Sequence, residues 1–179
     1  MGRPQEKVTV MHKRVLVTGG AKSGKSRYAE MTARAFDLPL IYIATAQPLD
    51  DEMQDRIRAH QEQRGPDWQT EQEPLDLGGV LRRTDGQGVR LVDCLTLWLS
   101  NLMMDGRDWN QETDALCRVL LDQQSPVVLV TNEVGGGIVP VSALSRRYRD
   151  ASGVMNQRIA ALADKVVLVS CGLPLTLKE

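Results

Sequence analysis

No apolar run in this 179-residue chain approaches the roughly 20 residues that a membrane span requires, so no spanning segment is expected. Positive charge is not in excess either. The 22 Lys and Arg stand against 23 Asp and Glu, a formal net charge of −1. That balance argues against a nucleic-acid partner held by a general positive field, so any phosphate has to be bound locally. Cysteines are few. Cys94, Cys117 and Cys171 are far apart and form no C-x-x-C pair, which favours neither a disulfide framework nor a zinc site; buried free thiols of a cytoplasmic protein are expected. Repeats, low-complexity tracts and obvious linkers are lacking as well. Residues 1–9 are polar, without the apolar core of a secretory signal. The expectation is a short flexible extension over residues 1–10 and one domain over residues 11–179, a size that buries about two-thirds of its extended surface.

What is present is one distinctive stretch. Gly19-Gly20-Ala21-Lys22-Ser23-Gly24-Lys25-Ser26 follows the apolar run Val15-Leu16-Val17 and leads into the helix former Arg27-Tyr28-Ala29-Glu30-Met31. Strand, glycine-rich loop and helix occur in the order and spacing of a P-loop, G-x-x-x-x-G-K-[ST]. The glycines let backbone N–H groups close on phosphate oxygens, and the helix that follows aims its positive end at the same anion. Lys25 is expected to reach the β- and γ-phosphates and the Ser26 hydroxyl to hold Mg²⁺. A nucleoside triphosphate is the expected ligand.

Short apolar runs alternate with helical patterns along the rest of the chain. Strands are expected at residues 40–45, 89–93, 126–131 and 165–170, with a further one possible in the tail; residues 68–74 read as extended or irregular. Helices are expected over residues 27–36, 75–83, 95–104, 111–123 and 142–163, and over a segment capped by Asp50 or Asp51 and closed by Gly65-Pro66. The alternation predicts an α/β fold of the P-loop NTPase, RecA-like kind: a mostly parallel sheet with helices on both faces. Ligands of such sheets bind beyond the carboxyl ends of the strands.

Four strand ends carry polar groups: the P-loop, Thr45, Asp93 and Asn132-Glu133. Asp93 resembles a Walker B acid that holds Mg²⁺, and Glu133 is placed to do the same or to act as a general base; a helix-capping carboxylate is the plainer alternative for each. His60 follows the stripe Met53 and Ile57, with Arg56 and Arg64 four residues to either side. Neighbouring positive charge biases an imidazole toward its neutral, nucleophilic form. From spacing alone a boundary histidine on an amphipathic helix is the favoured reading. His12 has no comparable setting. Trp98 and Trp109 read as packing residues, and the arginines of residues 146–158 as a solvated helix face.

Together these motifs resemble the bacterial bifunctional adenosylcobinamide kinase/adenosylcobinamide-phosphate guanylyltransferase family of cobalamin biosynthesis. The resemblance spans residues 14–178. It rests on the P-loop, on Tyr42-Ile43-Ala44-Thr45-Ala46-Gln47, on Asp50-Asp51-Glu52-Met53 leading to Arg56-Ile57 and His60, and on Trp68-Gln69-Thr70. Asp93-Cys94-Leu95-Thr96-Leu97-Trp98, Asn101, Thr131-Asn132-Glu133-Val134-Gly135, Gly137-Ile138-Val139-Pro140, Arg149-Asp150, Gly153 and Asn156-Gln157 complete it. The resemblance implies two reactions. The hydroxyl of the aminopropanol arm of adenosylcobinamide takes the γ-phosphate of ATP or GTP. Then a histidine, His60 here, attacks the α-phosphate of GTP, and its guanylyl group passes to adenosylcobinamide phosphate. It further implies GTP contacts from Thr45, Ala46 and Gln47, from Gln61, Glu62, Gln63 and Arg64, and from Asp93, with Mg²⁺ and a homotrimer. Where relatives carry paired acids before a proline, this chain has Gln72-Glu73, so that contact falls to Glu73 or is lost. The rivals are a P-loop kinase of another small hydroxyl substrate, with His60 structural, and a non-catalytic nucleotide switch or DNA-associated ATPase.

Overall fold

The computed structural model describes residues 12–47, 54–55, 58 and 64–179. Chain order runs β1 (Arg14–Thr18), α1 (Lys25–Arg34), β2 (Leu40–Ala44), β3 (Trp68–Gln72), α2 (Leu77–Arg83), β4 (Val89–Asp93), α3 (Leu95–Met104), α4 (Trp109–Asp122), β5 (Val127–Val130), α5 (Ala143–Leu162), β6 (Lys165–Ser170) and β7 (Leu173–Lys178). Between β2 and β3, residues 54, 55, 58 and 64 are helical, within the segment where a helix is expected. His60, Gln61, Glu62 and Gln63 lie outside the described residues.

The strands form one sheet in the order β3-β2-β4-β5-β1-β6-β7, parallel throughout except for the antiparallel β6–β7 pair. Successive side chains of a strand point to opposite faces, and the two faces are covered differently. Val15, Val17, Tyr42, Leu91, Val128, Val130 and Val167 pack with Ala29 and Ala33 of α1 on one face. Leu16, Ile41, Ile43, Val92, Leu129 and Val166 pack on the other against apolar residues of α2, α3, α4 and α5. Helices therefore lie on both faces, and the expected α/β architecture holds.

One expectation is sharpened, the extended reading of residues 68–74, and one needs correction, the burial of the thiols. Trp68–Gln72 is a regular parallel strand, paired with β2 from Leu40↔Trp68 to Ala44↔Gln72. It sits at the sheet edge and buries only Trp68 fully, so it lacks the apolar run by which a strand is recognised. The thiols are not uniformly buried: Cys94 is, Cys117 is half-buried and Cys171 is exposed. Trp98 is buried and Trp109 packs against the same core, as packing residues should.

Candidate active site

The P-loop follows β1 and its conformation is tightly specified. A Cβ on Gly19 would lie 2.4 Å from the Val169 carbonyl oxygen and 2.6 Å from Ser23 Oγ. Gly24, the N-cap of α1, has φ +95°, a left-handed value that favours glycine. The β6–β7 turn grips the loop from outside, because the Gly172 amide donates to the Ser23 carbonyl at 2.9 Å. Lys25 Nζ donates to the Gly20 carbonyl at 3.2 Å, folding the lysine across the loop.

Helix ends differ in a telling way. Asp76, Asp108 and Ser142 accept hydrogen bonds from backbone amides at the starts of α2, α4 and α5. Gly24 provides no such cap and the first turn of α1 holds no acid, as is also the case at Cys94 and α3. At α1 this uncapped end directly follows the glycine loop, with Ser26 in its first turn. Gly19→Ala should weaken GTP binding by tenfold or more (about 1.4 kcal/mol per tenfold), because the clash is with backbone. Calorimetric titration checks this, and wild-type affinity would show that the loop has room.

The neighbouring strand ends converge here. Thr18 Oγ1 donates to Glu133 Oε1 at 2.6 Å and the Glu133 amide donates to the Gly19 carbonyl at 3.1 Å, so Glu133 is fastened to the P-loop twice. Asn156 of α5 supports the same strand end. Its Oδ1 accepts from Thr131 Oγ1 at 2.7 Å, and its Nδ2 donates to the Asn132 carbonyl at 3.3 Å. Asn132 Nδ2 donates to Thr96 Oγ1 at 2.6 Å, tying β5 to α3.

One strand further along, Asp93 Oδ2 accepts from the Tyr42 hydroxyl at 2.7 Å. Burial and the Asp93 charge both push the Tyr42 phenol far above its usual range, so it stays protonated and donates. Burial, then the same charge, raises the thiol of Cys94, which is inert packing at neutral pH. The Tyr42 ring carries the Arg64 guanidinium at 3.2 Å on one side and meets Trp68 edge-on at 6.1 Å. Arg34 stacks on Trp68 at 5.6 Å and donates from Nη2 to the Arg64 carbonyl at 3.1 Å. Arg64 is 5% exposed, yet its Nε and Nη1 have no hydrogen-bond partner among the described residues.

The remaining site residues divide. Thr45 is fully buried; its hydroxyl bonds both the amide and the carbonyl of Cys94 at 2.8 Å, and its own carbonyl accepts from Asn101 Nδ2 at 2.8 Å. Its side chain is occupied in joining β2 to β4. Ala46 and Gln47 continue from it half-buried. Gln47 lines an open cavity of about 330 Å³ with Pro74, Leu75, Asn101, Met104 and Asp105. Glu73 Oε1 accepts from the amides of Leu75 and Asp76 at 3.1 and 2.8 Å, so that oxygen serves the turn into α2. Tyr42 is the residue that spacing left without a role, since a tyrosine inside an apolar strand signals only core.

The sequence and the fold of the chain are similar to those of known proteins. Residues 15–177 match the family described as cobinamide kinase / cobinamide phosphate guanyltransferase. The bifunctional adenosylcobalamin biosynthesis protein CobP of Pseudomonas aeruginosa is 45% identical over 168 residues, covering 92% of this chain and 97% of that one. Its counterpart CobU of Escherichia coli is 40% identical over 180 residues, covering 92% and 99%. Among solved structures, a protein of Pyrococcus horikoshii superposes with a TM-score of 0.56 at 8% identity, covering 93% of this chain and 86% of that one. An ATPase of a bacterial type III secretion system superposes with a TM-score of 0.53 at 10% identity, over 92% and 56%. These two likenesses concern the fold alone. With a P-loop, an uncapped first helix and the strand-end groups in place, and with the match spanning nearly its whole length, the chain belongs to the cobinamide kinase/cobinamide phosphate guanyltransferase family of enzymes.

Proposed function

We propose that both transfers of this family run from one nucleotide cradle, residues 19–26. In the first, the hydroxyl oxygen of the aminopropanol arm of adenosylcobinamide bonds to the γ-phosphorus of ATP or GTP. The bond to the β-phosphate oxygen breaks, the nucleoside diphosphate leaves, and the hydroxyl proton passes to a base. Glu133, exposed and fastened to the loop by Thr18 and by its own amide, is the carboxylate positioned for that proton. Lys25 and the α1 amides take the charge on the phosphates.

In the second, a nitrogen of His60 bonds to the α-phosphorus of GTP and pyrophosphate leaves. A phosphate oxygen of adenosylcobinamide phosphate then displaces the histidine, giving adenosylcobinamide-GDP and restoring His60. Arg56 and Arg64, four residues to either side of His60, favour its neutral form. GTP contacts are assigned to Gly19, Gly20, Ala21, Lys22, Ser23, Gly24, Lys25 and Ser26, to Thr45, Ala46, Gln47, Gln61, Glu62, Gln63 and Arg64, and to Glu73 and Asp93. For Thr45 the contact is through backbone, since the hydroxyl is engaged.

Among the described residues no three His, Cys, Asp or Glu cluster as for a resident metal. That fits Mg²⁺, which binds through one or two protein oxygens plus substrate phosphates. Ser26 and Asp93 would hold it, and it would offset phosphate charge. The exposed apolar residues Ile138, Val139 and Val141, a few positions beyond Glu133, are the surface assigned to the corrinoid. A homotrimer in the cytoplasm completes the reading; the exposed Leu173, Leu175 and Leu177 along edge strand β7 are consistent with a partner subunit.

The uncapped, glycine-built start of α1 carries this reading. Its test is incubation with Mg²⁺ and GTP labelled at the α-phosphate, then denaturation. The chain should keep an acid-labile, base-stable label; an unlabelled chain would remove the guanylyltransferase half.

A further inference from the structure

We propose that Tyr42 is a positioning residue for the guanine nucleotide: its hydroxyl fixes Asp93 while its ring face carries the Arg64 guanidinium, so that both charged groups reach the ligand as one preset unit. The inference rests on reading residues 19–26 and Arg64 as nucleotide contacts.

The first observation is where the tyrosine spends its hydroxyl. A tyrosine serving only the core commonly satisfies its O–H on backbone or water. Here the hydroxyl donates at 2.7 Å to a carboxylate at the carboxyl end of β4, the edge of the sheet where ligands bind. The parallel register Ala44↔Asp93 brings the two together, since Tyr42 lies two residues before Ala44 on the same face.

The second is the state of Arg64. It is nine-tenths buried, its backbone carbonyl is held by Arg34 and its guanidinium carbon lies over the Tyr42 ring, 3.2 Å from the ring centre, yet Nε and Nη1 are unpartnered among the described residues. A buried guanidinium with two free donors is costly unless an acceptor arrives. A nucleotide brings acceptors on both its base and its phosphates. Stacking removes the guanidinium's rotational freedom beforehand, so less is lost when the ligand binds.

The test is a double-mutant cycle read by calorimetric titration of the full-length chain with GTP and Mg²⁺. Tyr42→Phe keeps the ring and loses the hydroxyl; it should weaken GTP binding about tenfold, the scale of one charge-assisted hydrogen bond. In an Asp93→Asn background the same change should cost less than about twofold, because the bond is already compromised. Tyr42→Leu removes both contacts and should bind more weakly than Tyr42→Phe. A purely structural tyrosine would lower the melting temperature while leaving the affinity of the folded protein unchanged. That result, or equal effects of Tyr42→Phe with and without Asp93, overturns the proposal. The two readings fail separately. Wild-type affinity in Tyr42→Phe with a labelled wild-type chain removes only the role of Tyr42; a weakened Tyr42→Phe with no label in the wild type removes only the guanylyl transfer.

Discussion

The His60→Ala protein is expected to acquire no label from α-labelled GTP and yet to phosphorylate adenosylcobinamide. The two reactions attack different phosphorus atoms. Only the second needs a nucleophile from the protein, so removing the imidazole deletes the covalent route outright rather than slowing it. Lys25→Ala should do the reverse to the kinase. On the proposed reading the lysine meets charge on the transferring phosphoryl group, and losing such a contact costs roughly 10²–10³ in rate. Lys25 folds back on the Gly20 carbonyl, an exposed contact that a ligand phosphate can replace without disturbing the core. Radiochemical assay of both half-reactions on both variants checks the pair. Label retained by His60→Ala would place the nucleophile elsewhere, and full kinase turnover by Lys25→Ala would place the phosphates elsewhere.

The largest effect on stability is expected away from the site. Arg90 is 0% exposed in the middle of β4. Its Nη2 pairs with Asp85 at 3.0 Å and with Gln123 Oε1, and its Nη1 donates to the Gly88 carbonyl at 3.0 Å. Asp85 in turn accepts from the amides of Gly86, Gln124 and Ser125. Truncating one partner of a buried pair leaves a naked charge and costs about 3–5 kcal/mol. Asp85→Ala should therefore lower the melting temperature by roughly 10 °C, at about 2–4 °C per kcal/mol for a chain of this size. Adding Arg90→Met should recover much of it, since an apolar replacement removes the stranded charge; no recovery would mean that the amide bonds carry the effect. The pH dependence has a definite sign. Burial works to raise the Asp85 carboxyl, but the Gln124 and Ser125 amides and the Arg90 charge outweigh it and hold it below the usual range. A depressed carboxyl gives stability that is present above its unfolded value, about 3.9, and is lost as pH falls through the folded value. The wild type and Asp85→Ala should thus begin to converge in melting temperature as pH falls below about 4, and meet only below the lowered folded value.

The sequence made the ligand legible and hid part of how the ligand is met. Val15-Leu16-Val17 before a glycine loop and the apolar runs of β2, β4, β5 and β6 announce a parallel sheet with a P-loop, because buried parallel strands are continuous apolar segments. Strand β3 carries no such signal: as an edge strand it needs one apolar anchor, Trp68, and leaves the rest to solvent. No local pattern marks the partners of Arg90, since Gln123 lies 33 positions away at the end of α4 and only the folded chain joins them. Tyr42 and Asp93, 51 positions apart, meet through strand register, which no local pattern encodes. Thr45 lies where the resemblance implies a GTP contact, but its hydroxyl is consumed in stitching β2 to β4.

The grip of the β6–β7 turn on the P-loop has a consequence for biosynthesis. Val169 walls off Gly19, and Gly172 bonds the Ser23 carbonyl, so the loop is completed by residues about 150 positions later in the chain. Contacts of such long sequence separation form late, and a chain emerges from its amino end first. A nascent chain that has made its glycine loop therefore still lacks the outer wall of its nucleotide cradle. The cradle is therefore complete only once the β6–β7 pair has folded against β1 and the glycine loop.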